Sequence, residues 1–356
     1  MESIPNHLVI DADTDFDSEG LMDSRTTIQE VARFAGVSVG SASRALNQNG
    51  ASKKMVEKVS AAARELGYHP DAVGRSLRTK RTFQIAFAVA DIGNPVYVEM
   101  LSTIQALVEP AGYRVVVIST GSSNSSTCDL LADIDSGFVD GVIISPLRLS
   151  NRVVEAIRSV RIPLVVLGRP LFDEGIDSVS TDSAIGIRLA VEHVVAQGAQ
   201  NVVLLNGPTD TTPGSVRAKG FLDACDSFGD TLSSHVVTAE DFTVNAGETG
   251  AREFLTRSVP DAIVAANDLL AVGAMKAAHK MGLSIPDDLM VTGMDNTDLA
   301  SYFEPSLTSV SLGSASRAQA AAEILLSRIN GDDKPVHSVE VSAELIKRKS
   351  TRRWAE

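Results

Sequence analysis

The sequence predicts a mixed α/β protein in which a small all-α head precedes a larger body of two doubly wound parallel-sheet subdomains. Three observations lead there. Residues 27–67 hold three short amphipathic patterns punctuated by Ser, Thr and Gly. From Thr82 onward, Val- and Ile-rich runs alternate with amphipathic stretches, which is how strand–helix–strand units read when a parallel sheet is covered on both faces. The 275 residues that follow Arg81 are long for one such sheet, since a domain takes roughly 100–200 residues, so two sheets are expected.

In the head, Thr27-Ile28-Gln29-Glu30 is a capping box, in which the Thr hydroxyl and the Glu carboxylate satisfy the unpaired amides of a helix start. It opens a helix carrying Ile28, Val31, Ala32 and Phe34, which Gly36 ends. Ser38 caps a second helix running to about Leu46. Ser52 caps a third, which carries Met55, Val56, Val59, Ala62, Ala63 and Leu66 at helical spacing and stops at Gly67. Two short helices joined by a tight glycine-containing turn and braced by a third have the geometry of a helix-turn-helix, whose second helix enters the major groove of DNA.

The whole chain carries a formal net charge of -13, which taken alone argues against a nucleic-acid partner. Its distribution argues the other way. Residues 1–23 carry seven acids and no Lys or Arg, residues 24–81 carry eleven bases against four acids, and residues 82–356 carry 21 bases against 34 acids. A basic head on an acidic body fits a polyanion-binding module joined to a separate soluble domain. A helical head with solvated basic faces would show the same asymmetry.

The strand candidates of the body are Gln84 to Ala90, Arg114 to Ser119, Gly141 to Ser145, Leu164 to Leu167, Asn201 to Leu205, Val236 to Ala239, Ala262 to Ala265 and Leu289 to Gly293. Helix candidates between them include Val96 to Val108, Ile185 to Gln197, Val216 to Phe228 and Leu270 to Met281. Ligands of open parallel sheets bind beyond the carboxyl ends of the strands. Asp91, Asn94, Arg169, Asp182, Asn206, Asn267, Asp268 and Asp295 follow strand candidates there, and Arg217 opens a helix candidate. Carboxylates, amides and arginine around a cleft are the groups that hydrogen-bond sugar hydroxyls, which both donate and accept. Asp182 and Asp268 read equally well as helix caps.

Two adjacent segments carry a family resemblance. TIQEVARFAGVSVGSASRALN, from Thr27 to Asn47, resembles the helix-turn-helix of the LacI/GalR family of bacterial repressors, and ELGYHPDAVGRSLRTKRT, from Glu65 to Thr82, resembles that family's hinge. Ala42 stands where the family more often has valine. The resemblance implies DNA contacts from Thr27, Ser38, Val39, Gly40, Ser43, Arg44 and Asn47, with Val39, Gly40 and Arg44 facing the major groove, and from the hinge residues Ala72, Arg75 and Leu77. It implies a body like a periplasmic sugar-binding protein, with three crossovers and a ligand in the cleft. Its effector contacts fall on Tyr97, Arg217, Phe242, Asn267 and Asp295, which join Asp91, Asn94 and Arg169 of the strand ends. Leu312, where lactose-binding members have a cleft glutamine, speaks against a lactose-type ligand.

The expected organisation is therefore an acidic disordered extension (1–24), a helix-turn-helix domain (25–69), a hinge helix and linker (70–82) and an effector-binding, dimerising body (83–356). Subdomain 1 takes about 83–181 and 313–338, and subdomain 2 about 182–312 and 339–356. The expected function is effector-controlled repression by a homodimer on a pseudo-palindromic double-stranded operator, the effector being a sugar or related metabolite. A periplasmic-type binding protein without a DNA role is the alternative, and the basic head disfavours it.

Other classes lack a signal. Gly36-Val37-Ser38-Val39-Gly40 matches the nucleophile elbow of hydrolases, but that motif needs a preceding strand, and a helix precedes it here. The chain has no glycine-rich phosphate loop, its six histidines are scattered, and Cys128 and Cys225 lack metal-ligand spacing. No enzyme activity, cofactor or metal is expected. No apolar run reaches the ~18 residues of a membrane span. The acidic start MESIPNHLVIDADTDFD lacks the features of a secretory signal, so a cytoplasmic location without a membrane partner is expected. Met22-Asp-Ser-Arg-Thr-Thr-Ile reads like the ordinary beginning of a family member.

Overall fold

A computed structural model describes residues 26–46, 50–68, 76 and 79–351. The chain divides into two compact units at Thr79/Lys80. The head holds α1 (Ile28–Phe34), α2 (Val39–Leu46) and α3 (Lys53–Glu65). The capping box forms, with the Glu30 amide donating to the Thr27 hydroxyl and the Thr27 amide to the Glu30 carboxylate. Gly36 makes the turn at φ +59, a left-handed conformation that costs glycine no Cβ clash. Val31, Ala32, Ala35, Ala42, Ala45, Val59, Ala62 and Ala63 form the buried core. The Thr26 hydroxyl donates to the Leu66 carbonyl at 2.8 Å, tying the start of α1 to the end of α3. Phe34, the fourth apolar residue carried by α1, is 55% exposed. The stripe is centred on Ile28, Val31, Ala32 and Ala35, and at 100° per residue Phe34 falls on its flank.

The body contains two six-stranded sheets. The first comprises β1 (Gln84–Val89), β2 (Arg114–Ser119), β3 (Gly141–Ser145), β4 (Leu164–Gly168), β5 (Ser178–Ser180) and β11 (Ser338–Glu340), in the order β11-β5-β4-β3-β1-β2, all parallel. The second comprises β6 (Asn201–Asn206), β7 (Ser233–Thr238), β8 (Ala262–Ala265), β9 (Met290–Met294), β10 (Thr308–Ser311) and β12 (Glu344–Ile346), in the order β12-β10-β9-β8-β6-β7, parallel except for the edge strand β12. Alternation along β1 sends Ile85, Phe87 and Val89 into one core and Ala86 and Ala88 into the other, as a two-residue side-chain period requires.

Helices α4 (Val96–Val108), α5 (Asn124–Ile134), α6 (Asn151–Ser159) and α12 (Ser314–Ile329) cover the first sheet. Helices α7 (Ser183–Ala196), α8 (Thr212–Asp226), α9 (Val244–Leu255) and α10 (Asp268–Lys280) cover the second, and α11 (Asp298–Tyr302) follows β9. A Cβ on Gly273 would stand 2.3 Å from the Val244 carbonyl oxygen, so α9 and α10 pack closely only because that position is glycine.

The chain passes between the sheets three times, after β5, after β10 and after β11. The last passage corrects the expected boundary at 338: β11 pairs through Glu340 with Ser180 of β5, so the first subdomain keeps two more residues. The linker expectation shortens as well. Thr82 donates through its amide (2.7 Å) and hydroxyl (2.9 Å) to Asp140, and Arg81 donates to the Ile329 carbonyl at 3.0 Å, which docks 80–82 on the body. Helix α8 begins four residues before the expected Val216. Thr211 is its N-cap and Pro213 sits in its first turn, where a missing N–H is harmless.

Candidate functional site

In the head, α2 presents its outward side chains to solvent. The Ser38 hydroxyl accepts from the Ser41 amide at 3.2 Å, so Ser38 caps the helix as its sequence position suggests. Val39, at 44% exposure, Gly40 and Arg44 face outward, and Arg44 donates weakly to the Ser41 hydroxyl at 3.4 Å. Ser43 is half-buried, and Thr27 is exposed with its hydroxyl held in the capping box. Asn47, Ala72, Arg75 and Leu77 lie outside the described residues.

In the body, a cavity of about 640 Å³ opens between the two sheets. Asp91, Asn94, Tyr97, Arg169, Arg217, Phe242, Asn267 and Asp295 all line it. Loops leaving β1, β3, β4, β8, β9 and β10 at their carboxyl ends supply most of the wall, because every strand but the antiparallel edge runs the same way within its sheet.

The buried charged group of the cavity is built from three elements. Asp295 follows β9 with φ +101 and Asn296 with φ +50, left-handed conformations that cost a non-glycine residue energy and recur at binding sites. The Asp295 amide donates to the Val310 carbonyl at 2.8 Å, which fixes the strained turn to β10. Arg217 of α8 lies 4.0 Å from the Asp295 carboxylate and donates to the Ala266 carbonyl at 2.6 Å. Arg317 of α12, also buried, interacts electrostatically with Asp295. Burial pushes the Asp295 carboxyl up while the two guanidiniums pull it down. Burial likewise lowers both arginines, and Asp295 opposes it.

Around this group, Tyr97 shares a 3.4 Å hydrogen bond with the Ser145 hydroxyl. Burial raises the Tyr97 phenol. Asn267 caps α10 by accepting from the Leu270 amide at 2.8 Å, and donates to the Phe242 carbonyl at 3.0 Å, which sets the aromatic wall. Asn94 accepts from the Val96 amide, and Asp91 accepts from the Gly93 amide, so both shape the loop into α4 as well as facing the cavity.

Two strand-end residues do not line it. Asn206 is fully buried and donates to the Gly214 carbonyl. Asp268 is neither cap nor lining: its carboxylate accepts from the Thr297 amide and hydroxyl and from the Ser309 hydroxyl, and burial, then Asp295, raises its pKa to about 7. Asp182 caps α7 and lines the cavity rim. Sequence reasoning missed Arg317. Ser314-Ala-Ser-Arg317-Ala-Gln-Ala reads as a solvated helix start, and its only available signal was that it follows a strand too short to recognise.

Among the described residues no cluster of His, Cys, Asp or Glu could hold a metal ion, and no helix is long and apolar enough to cross a membrane.

Comparison with known proteins matches both units. The pattern of the family described as bacterial regulatory proteins, lacI family, covers residues 27–71, and that of the periplasmic binding protein-like domain covers residues 191–351. The ribose operon repressor of Halalkalibacterium halodurans is 33% identical over 329 residues, spanning 92% of this chain and 97% of that protein. The transcriptional regulator DegA of Bacillus subtilis is 33% identical over 292 residues, 80% of this chain and 86% of the regulator. Among solved structures, the lac repressor dimer bound to operator and an anti-inducer superposes with a TM-score of 0.80 at 28% identity, covering 92% of this chain and 99% of that one. The CelR–cellobiose complex gives 0.67 at 28% identity, covering 92% and 100%. With a helix-turn-helix head, a two-sheet body and a relative aligned along nearly its whole length, the chain belongs to the lacI family of bacterial regulatory proteins.

Proposed function

We propose that this regulator is a repressor, acting as a homodimer on a pseudo-palindromic operator, whose grip on DNA is set by a sugar or related metabolite in the cleft of the body. The observation that carries this reading is the buried Arg217–Asp295–Arg317 group at the floor of a cavity, in a chain whose other unit presents Val39, Gly40 and Arg44 on an exposed helix face. Arg44 would take a guanine edge with two donors, Val39 would touch a thymine methyl, and Gly40 would leave room. The effector works by differential affinity: it favours one relative orientation of the two sheets, and that orientation orders or releases the hinge that holds the operator. The passages between sheets are the natural pivots. They are cross-tied by the Thr181 hydroxyl to the Leu312 carbonyl at 2.8 Å and the Val341 amide to the Ser180 carbonyl at 2.9 Å.

The test is a thermal-shift screen of the full chain against sugars, nucleosides and purines, followed by operator binding with each hit. A ligand that binds only the native state raises its melting temperature. The reading expects at least one hit that also changes operator affinity. Hits that leave operator affinity unchanged would contradict it.

A further inference from the structure

Arg217 and Arg317 are each only 8% exposed, and both line the cavity. The single buried carboxylate between them is Asp295, itself 8% exposed. Arg217 spends one nitrogen on the Ala266 carbonyl and stands at the 4.0 Å limit of an ion pair with Asp295. Its Nε, and the Nε of Arg317, have no hydrogen-bond partner among the described residues. The Arg317 guanidinium has no ion pair within 4.0 Å among them either; besides Asp295 it is attracted by Tyr97 and Glu99 and repelled by Arg217. Glu99 is exposed and accepts from the Ser314 hydroxyl. Arginine keeps its charge in proteins, and a buried guanidinium is costly unless paired and hydrogen-bonded. The floor of the cleft thus sets two guanidiniums, with donors unused, against the Asp295 carboxylate, while Asp268 behind it, whose carboxyl burial pushes up to about 7, is only partly ionised near neutrality. The other charged residues of the lining, Asp91, Asp182, Asp241, Glu340 and Arg169, are exposed at the rim, where solvent screens them.

We infer that the effector is a monoanion, a polyhydroxylated acid whose carboxylate sits between Arg217 and Arg317 while Asp295 accepts from its hydroxyls. A planar carboxylate matches the guanidinium fork in two parallel hydrogen bonds. One carboxylate also offsets the excess of guanidinium charge, whereas a neutral sugar leaves it standing and a phosphate ester brings more negative charge than the group needs. This inference rests on the cleft reading above and narrows it to one charge class.

The experiment is a thermal-shift and calorimetric comparison on the full chain with matched ligands: glucose, glucuronate and glucose 6-phosphate; galactose, galacturonate and galactose 6-phosphate; ribose, ribonate and ribose 5-phosphate. The expected result is that an acid binds at least tenfold more tightly than its neutral sugar and than its phosphate ester. Arg317→Gln should erase that preference, and Arg317→Lys, which keeps the charge without the fork, should retain part of it. Unchanged melting without ligand shows that the variants fold. A neutral sugar or a phosphate ester binding as well as its acid, or Arg317→Gln retaining the preference, overturns the inference while the cleft reading stands. If no member of any set stabilises the protein, the inference falls and the carbohydrate reading with it.

Discussion

The Arg217 guanidinium stands 4.0 Å from the Asp295 carboxylate, and both side chains are buried at the carboxyl end of the second sheet. A pair so placed serves recognition more than stability, because its separation is too long for a strong charge-assisted hydrogen bond and its desolvation offsets most of the attraction. Asp295→Ala should destabilise the body by about 1–3 kcal/mol, the cost of leaving buried cations unbalanced. It should also abolish the melting-temperature response to effector. Operator affinity without effector should stay within a few-fold of wild type, as gel-shift titration would show.

A different contact crosses the cleft from one subdomain to the other. Arg148, after β3, donates from Nε and Nη2 to both oxygens of Asp210, after β6, each at 2.9 Å, and the Thr212 amide donates to the Leu147 carbonyl at 2.9 Å. This clasp holds the two sheets in one relative orientation. Asp210 is largely exposed, so the pair is worth about 0.5–1 kcal/mol. Arg148→Ala should shift effector affinity by a few-fold and weaken that shift at high salt, which calorimetry at two ionic strengths would resolve.

Asp268 gives the body a pH signature. Burial pushes its carboxyl up to about 7 in the folded protein, against the 3.8 of an ordinary aspartate, so the native state holds its proton more tightly than the unfolded chain. Its contribution is full below about pH 4 and is lost as the pH rises through 7. Asp268→Asn should remove that slope. The stability difference between wild type and variant should move by about 2–4 kcal/mol between pH 4 and 7, with wild type losing ground toward neutrality, as urea melts across that range would show.

On the DNA side, Arg44→Ala should cost roughly 1–3 kcal/mol at the operator and relax the preference at one base position. A binding selection with the variant would read both. Leu77 lies outside the described residues, and its role is argued from sequence: among Arg75, Arg78, Lys80 and Arg81, paired leucines of a dimer would wedge a central base step from the minor groove. Leu77→Ala should therefore reduce operator affinity and bending together, as a circular-permutation gel assay would record, with the body's melting unchanged.

Strands rich in Val and Ile were legible because burial on both faces leaves a continuous apolar run. Arg114–Ser119, Gly141–Ser145 and Ala262–Ala265 carry the same limits in sequence and structure. Ser178–Ser180, Thr308–Ser311 and Ser338–Glu340 escaped because they are short and Ser- or Thr-rich, and their hydroxyls are satisfied only in the fold, as when Thr308 meets Arg348 and Thr351. The strand-end rule brought out the residues that line the cavity from the β sides, Asp91, Asn94, Arg169, Asn267 and Asp295. It could not reach Arg317, which comes from the first turn of a helix that follows a short, Ser-rich strand. Phe34 lies outside the head's core because it falls on the flank of the helical stripe centred on Ile28, Val31, Ala32 and Ala35.

Coupling between cleft and DNA is what makes the protein a regulator. Its most direct test is a fluorescence-anisotropy titration of the selected operator by the full-length dimer, with and without the effector found by melting, for wild type and Asp295→Ala in parallel. The account predicts that the effector changes wild-type operator affinity by at least fivefold and leaves the variant's unchanged, a coupling of about 1 kcal/mol or more. Equal operator affinity with and without bound effector in the wild type would contradict it.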